Sequence, residues 1–546
     1  MSLSPNIASI GFTSPSLPSS AQLKTLRDLT RSCALPADPG ALQATITAAT
    51  SEIGRYDIEI EKIQEELDRL VSERDLLSSY ANGCRSVLSA PYRLPDDVLV
   101  EIFDWCFPED LYVMSSKTTG QQELDRITHR YILDLAHVCS RWYHVAMATP
   151  RLWSMFVVDV ECWRRSRATA STLLALLESA LDRGKNYPLD LTLRVGSYHN
   201  RADAALELFF KHAHRWRELE LYSMGHPPEC ISAATGSLSL DCLEKLFFRA
   251  MRKNDNSWED VEIFQRAPRL TSLEFKGFPA SLPKLPWAQI NTCTHFSSRD
   301  YDCRYQPLTI LRNAATHSLY KLVLDLRDRS LATESWDLIE ISSEVQNLQI
   351  WFSTYNSVVT GKFFDSLTLP RVQTLAFHVA HDFPCPVWAC NSFLALAERS
   401  VFHDSLFTLR LHQVRVTDTD LLRCLEVLPR LMCLEICDCP TEGVVVITDK
   451  LLQGLIYNSD LSALVPRLEY LQLTSLFEFS EEAYLDLVVS RVDLEKHCHD
   501  VGNREAFETK LFLRDASDRK LSPPVLQKFS ELESQNKLVF TLGRWR

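Results

Sequence analysis

The chain has 546 residues, of which 46% are hydrophobic and 24% are charged, and its formal net charge is −13. This composition excludes a wholly disordered protein and leaves enough chain for several domains. The acidic balance argues against non-specific nucleic-acid binding, which needs clustered Lys and Arg to displace counterions from phosphates.

No stretch approaches the eighteen or so consecutive apolar residues that a membrane-spanning helix needs, and the first 20 residues lack the basic start and apolar run of a secretory signal. We therefore expect a protein of the cytoplasm, the nucleus or both, with no membrane partner. The sixteen cysteines show no paired short spacings. Because a reducing compartment keeps thiols reduced, disulfides are not expected.

Residues 1–40 are rich in Ser and Pro and carry little periodic apolar signal, which predicts a disordered arm. A seven-residue register follows and predicts a coiled-coil helix over 41–90, interrupted only by Arg74. One core column holds Leu42, Ala49, Tyr56, Ile63, Leu70, Leu77 and Cys84, and the other holds Ile46, Ile53, Ile60, Leu67, Ala81 and Leu88.

The helix over 41–90 has an alternative interpretation as an amphipathic helix folded back on its own domain. A flanking column is acidic, with Glu52, Glu59, Glu66 and Glu73. On this pattern alone, the column is expected to repel its equivalent in a parallel homodimer, which favours an intramolecular or heterotypic partner.

A proline-opened helix start lies at Leu94–Pro95, and two acidic residues follow in the first turn, where they favour the positive end of the helix dipole. The apolar residues of this helix are expected on one face. A second amphipathic run after a polar insertion contains Val138, Cys139 and Trp142, and the segment 150–153 reads Pro-Arg-Leu-Trp before a short β-like run.

In their order, the Leu-Pro start, the Val-Cys-Ser-Arg-Trp core and the Pro-Arg-Leu-Trp end resemble an F-box. Their spacing resembles the large F-box family with leucine-rich repeats of mushroom-forming (basidiomycete) fungi. The resemblance covers about 60 residues and places a small three-helix F-box domain over 91–155. It implies binding to the Skp adaptor and, through that adaptor, to a cullin.

The resemblance also implies which residues touch the adaptor. The residues that would face it are Leu94, Pro95, Val98, Leu99, Ile102 and Phe103, and those that would finish or support that surface are Val138, Cys139 and Trp142. The alternative is that these helices form an ordinary packed domain in which Trp142 is a core anchor.

From residue 156 to 480 a pattern of the form apolar-x-x-apolar-x-apolar recurs nine times. The triplets are Trp216/Leu219/Leu221, Leu243/Leu246/Phe248, Leu270/Leu273/Phe275, Leu319/Leu322/Leu324, Val345/Leu348/Ile350, Val372/Leu375/Phe377, Leu406/Leu409/Leu411, Leu431/Leu434/Ile436 and Leu468/Leu471/Leu473. Most neighbouring triplets are separated by 25 to 27 residues. The step from Leu273 to Leu322 is about two repeats long, which suggests a degenerate repeat near Cys293 to Phe296. The spacing predicts a leucine-rich-repeat α/β solenoid, and 481–546 is expected to cap it.

Residues between the buried leucines are expected to project from the concave strand face. We take six of them as candidate target-binding residues, because exposed aromatic and Arg side chains are favoured as anchors of interfaces. These are Tyr222, Arg249, Trp351, His378, Arg410 and Tyr470. For each of them, a solvated strand face is the alternative.

The sequence lacks the phosphate-binding, dinucleotide-binding, zinc-protease and nucleophile-elbow motifs. Neither Cys433, Cys437, Cys439 and His412 nor the run His497-Cys498-His499 has the two tight ligand pairs of a zinc site. We therefore expect no cofactor, no metal and no catalysis.

Two functions fit these patterns. The first is a substrate receptor of a cullin-RING (SCF-type) ubiquitin ligase, with an F-box that binds the Skp adaptor and repeats that bind an unknown protein target. The alternative is a non-catalytic coiled-coil and leucine-rich-repeat scaffold unconnected with ubiquitin.

Overall fold

The structure, a computed structural model, describes most of the chain. The described residues are 17–32, 36, 38–88, 93–106, 129–159, 170–195, 200–223, 231, 238–250, 261–276, 283–296, 306–313, 319–326, 340–352, 357–379, 385–439, 445–458, 463–492, 506–514 and 520–545. The run His497-Cys498-His499 and most of the insertion between the first two predicted F-box helices lie outside them. The chain forms two compact units, Met1–Leu99 and Val100–Arg546.

The elements that the structure describes in the first unit are helices. Helix α1 covers Ser20–Ser32 and helix α2 covers Pro39–Leu88, which is 50 residues or about 75 Å of helix. Asp38 caps α2, because its Oδ1 accepts hydrogen bonds from the backbone N–H groups of Gly40 at 2.9 Å and Ala41 at 3.0 Å. Helix α1 corrects the prediction of a disordered arm over 1–40 for residues 20–32.

Helix α3 covers Asp96–Trp105 and spans the boundary between the two units. In the second unit, α4 covers Arg130–Ala136 and α5 covers Ser140–Ala148, before a 3₁₀ turn at Pro150–Trp153. The later α-helices are Ala170–Arg183, Asn200–Lys211, Gln306–Asn313, Ser357–Asp365, Cys390–Arg399, Phe402–Ser405, Asp418–Glu426, Asp449–Gly454, Glu481–Val492 and Pro523–Ser534.

A parallel sheet of 14 strands follows these first helices, and its strands lie side by side in chain order. They are β1 Met155–Asp159, β2 Leu189–Val195, β3 Trp216–Ser223, β4 Lys245–Ala250, β5 Ser272–Lys276, β6 Thr292–Phe296, β7 Lys321–Leu326, β9 Asn347–Phe352, β11 Thr374–Val379, β12 Thr408–His412, β13 Cys433–Cys437, β14 Tyr470–Ser475, β15 Phe507–Arg514 and β16 Leu538–Trp545. Two further strands, β8 Ile341–Ser342 and β10 Leu367–Thr368, pair with each other. The fold is mixed α/β, and the large sheet is open because β1 does not pair with β16.

The repeated apolar pattern explains this sheet. Every residue of the nine predicted triplets is buried, and the last two residues of each triplet lie in a strand. Equivalent residues lie opposite one another in the register, as in the pairing of Leu409 with Leu434 and of Leu434 with Leu471. One continuous apolar core therefore follows the sheet from Phe156 to Leu538.

The sheet extends beyond the limits that the sequence predicts for the repeats. Strand β1 begins at Met155, and β15 and β16 continue the same sheet through the predicted cap over 481–546. A strand is also present at Thr292–Phe296, where the long gap between two triplets suggests a degenerate repeat.

Cys385 and Cys439 form a disulfide bond across a sequence separation of 54 residues, with Cα atoms 6.8 Å apart. This corrects the expectation that the chain has no disulfides. Cys439 follows β13, and Cys385 precedes the helix that begins at Cys390, so the fold brings together two cysteines whose spacing in sequence gives no indication of pairing.

Candidate partner-binding surfaces

The start of α3 is set by Pro95, whose carbonyl accepts the first helical hydrogen bond, from the Leu99 N–H at 3.1 Å. Asp96 and Asp97 occupy the first turn, where acidic side chains favour the helix dipole. Leu94 is half-buried and Pro95 is exposed. The predicted helix start is therefore present, and its proline is accessible.

Helix α3 carries two different apolar faces instead of the single face that the sequence predicts. Leu99 and Phe103 are 0% exposed. Val98 is 38% exposed, Ile102 is half-buried and Trp105 is 87% exposed. The two sets differ by about 100° around the helix axis, because consecutive residues are rotated by that angle.

This arrangement corrects the predicted roles of Leu99 and Phe103. Because both are buried in the chain itself, they are core residues and not partner-facing ones. The Phe103 ring packs against Trp142 of α5 with ring centroids 5.1 Å apart and an interplanar angle of 60°. Among the described residues of α3, the accessible apolar face consists of Val98, Ile102 and Trp105.

The remaining predicted adaptor-binding residues lie at the start of α5. Cys139 is half-buried and caps this helix, since its Sγ accepts the Trp142 N–H at 3.5 Å. Val138 is 61% exposed, and Trp142 is half-buried and packs against Phe103. Cys139 and Trp142 thus hold the local structure, and Val138 is available to a partner.

Sequence reasoning missed two exposed aromatic residues in these helices. Trp105 ends α3, and Tyr143 lies in the first turn of α5. Trp105 was missed because only the first turns of α3 match the F-box pattern. Its position seven residues after Val98 could have revealed it, because that spacing returns to the same helix face.

The Pro-Arg-Leu-Trp turn ties these helices to the sheet. Arg151 forms ion pairs with Glu101, at 2.8 Å, and with Asp104, both on α3. The buried Trp153 donates its indole N–H to the carbonyl of Ala146 at 2.9 Å and lies beneath the Arg183 guanidinium. The turn therefore has a structural role, because it connects α3 and α5 to the elements that follow them in the chain.

Two clusters form on the strand face that does not contact the apolar core. The Tyr222 cluster lies on β3 to β5 and consists of Glu220, Tyr222, Arg249 and Glu274. Arg249 donates to Glu220, lies 3.6 Å from a Glu274 oxygen, and stacks over the Tyr222 ring at 5.6 Å. The structure thus brings together Tyr222 and Arg249, two of the predicted target-binding residues. Two carboxylates balance the charge of Arg249.

The Trp351 cluster lies on β9 to β13 and consists of Trp351, His378, Arg410, His412 and Glu435. The Trp351 ring stacks on His378 with centroids 4.7 Å apart, and His378 meets His412 edge-on at the same distance. Glu435 accepts hydrogen bonds from Arg410 Nε at 2.8 Å and from His412 Nε2 at 3.2 Å. Three of the six predicted target-binding residues lie in this cluster.

Burial and charge shift the pKa values of the Trp351 cluster. Burial, reinforced by electrostatic interaction with His412 and Arg410, lowers the pKa of His378 to about 4, so its ring is neutral near pH 7. Burial disfavours ionisation of Glu435, but the hydrogen bonds from His412 and Arg410 outweigh it and hold the pKa of this carboxyl below its ordinary value. The cluster therefore presents a neutral aromatic surface beside an ion pair.

Tyr470 of β14 lies beside the Trp351 cluster in the sheet, since β13 pairs with β14. Its hydroxyl donates to Gln472 at 2.9 Å, and the Lys510 ammonium lies 5.2 Å from its ring centroid. Tyr470 is therefore held in place by its neighbours and remains half-exposed.

The nearby thiols are poor candidates for chemistry or metal binding. Burial raises the pKa of Cys433 to about 11 and that of Cys437 to about 12, so both remain protonated near neutral pH. Cys439 is engaged in the disulfide. Within the part of the chain that the structure describes, no group of three His, Cys, Asp or Glu side chains is placed to hold a metal ion.

A scan against protein-family models and a search of curated proteins gave no match to this chain. Of the helices that the structure describes, none has both the length and the apolar character required to cross a bilayer.

Proposed function

We propose that this chain is the substrate-recognition subunit of a cullin-RING ubiquitin ligase. In this proposal α3 to α5 act as an F-box that binds the Skp adaptor, and the parallel sheet with its helices acts as a leucine-rich-repeat solenoid that binds a target protein. The chain contributes no catalytic group. It raises the effective concentration of a target lysine near the ubiquitin-charged enzyme.

The observation that carries the proposal is the accessible apolar face of α3, which directly follows the Leu94–Pro95 start. Val98, Ile102 and Trp105 are apolar residues on a short amphipathic helix whose other face is already buried. An apolar helix face of this kind suits packing against partner helices. Two of its residues, Val98 and Ile102, are among those that the resemblance to an F-box assigns to the adaptor.

The target would be held by the strand face. The Trp351 cluster supports this assignment, because it combines stacked aromatic rings with a fixed Arg410–Glu435 ion pair on four adjacent strands. Aromatic and Arg side chains are enriched among the residues that dominate binding energy at protein interfaces. The Tyr222 cluster supplies a second surface, in which one aromatic ring lies beside the ion pairs of Arg249 with Glu220 and Glu274.

The experiment is a calorimetric titration of the full chain with purified Skp adaptor. The variant Val98→Glu places a charge on the accessible face and should weaken binding at least about tenfold. Pro95→Ala tests the same surface without adding a charge. The matched control is Val358→Glu, which changes another exposed helical valine and should bind as the unsubstituted chain does.

Circular dichroism reports whether each variant is folded. Saturable binding that Val98→Glu weakens and Val358→Glu leaves intact would support the proposal. A folded chain that does not bind the adaptor would overturn it and leave a scaffold unconnected with ubiquitin as the alternative.

A further inference from the structure

Helix α2 exposes an apolar stripe from Ile46 to Leu88, which only Arg74 interrupts with a charged side chain. Among its seam residues, eight large apolar side chains are exposed, from 46% for Ile63 to 79% for Leu88. The full set is Ile46, Ile53, Ile60, Ile63, Leu67, Leu70, Leu77 and Leu88. Since a water-exposed seam of this length is unfavourable, it calls for a partner surface.

Helix α1 is too short to be that partner. It has 13 residues, or about 20 Å of helix, whereas α2 extends for about 75 Å. None of the residues of α1 is buried. A second copy of α2 is an occupant that matches the stripe in length and in apolar pattern.

The two core columns favour a parallel pair. Ile46, Ile53 and Ile60 occupy successive positions of one column, and Leu70 and Leu77 occupy successive positions of the other. Isoleucine in the column of Ile46 together with leucine in the column of Leu70 favours a coiled coil of two parallel helices. Arg74 is a polar residue within the isoleucine column, and one polar residue at such a position specifies register and oligomeric state at some cost in stability.

The flanking charges distinguish parallel from antiparallel pairing. In a parallel pair, each flanking glutamate lies opposite the residue five positions later in the second copy. These opposing residues are Asp57, Gln64, Val71 and Ser78, and only the first is acidic. In an antiparallel pair, the glutamate column would face the same column of the second copy, where like charges repel.

Ion pairs within the helix also reduce the charge of this column. Glu52 pairs with Arg55 at 2.9 Å, Glu59 pairs with Lys62 at 3.4 Å, and Arg69 pairs with both Glu66 and Glu73. The sequence pattern alone suggested repulsion in a parallel homodimer. The paired charges and the opposing neutral residues remove most of that objection.

We propose that α2 forms a parallel, in-register, two-stranded coiled coil with a second copy of this chain. Cys84 is a free, exposed cysteine in the leucine column near the end of the helix. In the proposed register, it faces Cys84 of the second copy. In an antiparallel pair, the two Cys84 residues would lie at opposite ends of the coil.

The test is the molar mass of the full chain by light scattering at micromolar concentration. We expect twice the 62.5 kDa chain mass. The variant Ile53→Glu with Ile60→Glu should yield the mass of one chain. The matched control is Ile58→Glu, which alters an equally exposed isoleucine that lies off the seam, and it should retain the double mass.

A short bismaleimide that joins two thiols tests the register. It should link two chains in the unsubstituted protein, and Cys84→Ser should abolish that link. A folded chain with the mass of one copy would overturn the proposal. This holds also if a different protein is found to bind the helix. A double mass without a link through Cys84 would also overturn it, because the pairing would not be parallel and in register.

Discussion

Asp438 shows how a single residue can organise a part of the sheet that the apolar pattern does not specify. It is fully buried directly after β13. Its Oδ1 accepts the N–H groups of Val446 at 2.8 Å and Ile447 at 3.0 Å, and its Oδ2 accepts the Leu476 N–H at 3.0 Å and the Ser475 hydroxyl at 2.9 Å. One carboxylate thus joins the loop after β13 to the end of β14.

We predict that Asp438→Ala lowers the free energy of unfolding by about 3 kcal/mol, because it leaves several buried donors without an acceptor. Urea denaturation of the full chain, followed by circular dichroism, measures this loss. The exposed Asp486 is the matched control, and Asp486→Ala should change stability by no more than about 0.5 kcal/mol. Equal effects of the two substitutions would contradict the role of Asp438.

His378 makes the stability of the second unit depend on pH. Its pKa is about 4 in the folded chain and about 6.5 when it is unperturbed, so the unfolded chain binds more protons between these values. Stability should therefore fall as the pH is lowered from about 6.5 towards 4. The lowered pKa of Glu435 adds a further loss when its carboxyl is protonated below its ordinary range.

We predict that His378→Asn flattens the pH dependence of the unfolding free energy between pH 6.5 and 4. Denaturant titrations at several pH values measure the slope. An identical slope for His378→Asn and the unsubstituted chain would show that His378 is not the group responsible.

At the level of elements, α3 is the clearest case in which sequence reasoning found a helix but did not separate its buried residues from its accessible ones. The pattern correctly indicates its start at Pro95. It cannot separate Leu99 and Phe103 from Val98 and Ile102, because neighbouring apolar residues look alike until Trp142 is placed against Phe103. Packing by a helix distant in sequence therefore decides which face remains accessible.

We predict that Phe103→Ala lowers the free energy of unfolding by about 3 to 5 kcal/mol, because it empties a fully buried aromatic site beneath Trp142. In contrast, Trp105→Ala should change it by less than about 1 kcal/mol, since Trp105 is largely exposed. Thermal and urea denaturation of both variants measure these losses. A large loss for Trp105→Ala would mean that this residue also belongs to the core.

The strands were the most predictable elements, because a buried sheet face imposes its apolar pattern directly on the sequence. Strand β15 was missed because it buries Thr509, whose hydroxyl is 2.9 Å from that of Tyr484, at a position where the pattern expects an apolar residue. The Cys385–Cys439 disulfide was missed because only the fold brings two residues 54 positions apart together. A local sequence pattern cannot predict contacts between residues that are distant in sequence.

At the scale of the whole molecule, the proposals assign separate tasks to separate parts of the chain. Helix α2 would pair two copies, the accessible face of α3 would bind the adaptor, and the strand-face clusters would bind the target. Each part carries its own accessible side chains, so each task can be removed by substitution without changing the other two. Linked copies would also present two target surfaces, which raises avidity for a multivalent target.

Hydrogen–deuterium exchange of the full chain, with and without purified Skp adaptor, tests the central claim most directly. We predict that the adaptor slows exchange over residues 94–105 and leaves exchange in β9 to β14 unchanged, because the adaptor would cover α3 and not the target-binding strands. Unchanged exchange in 94–105 with saturating adaptor, or protection confined to the strands, would contradict the account of this chain as an adaptor-bound receptor.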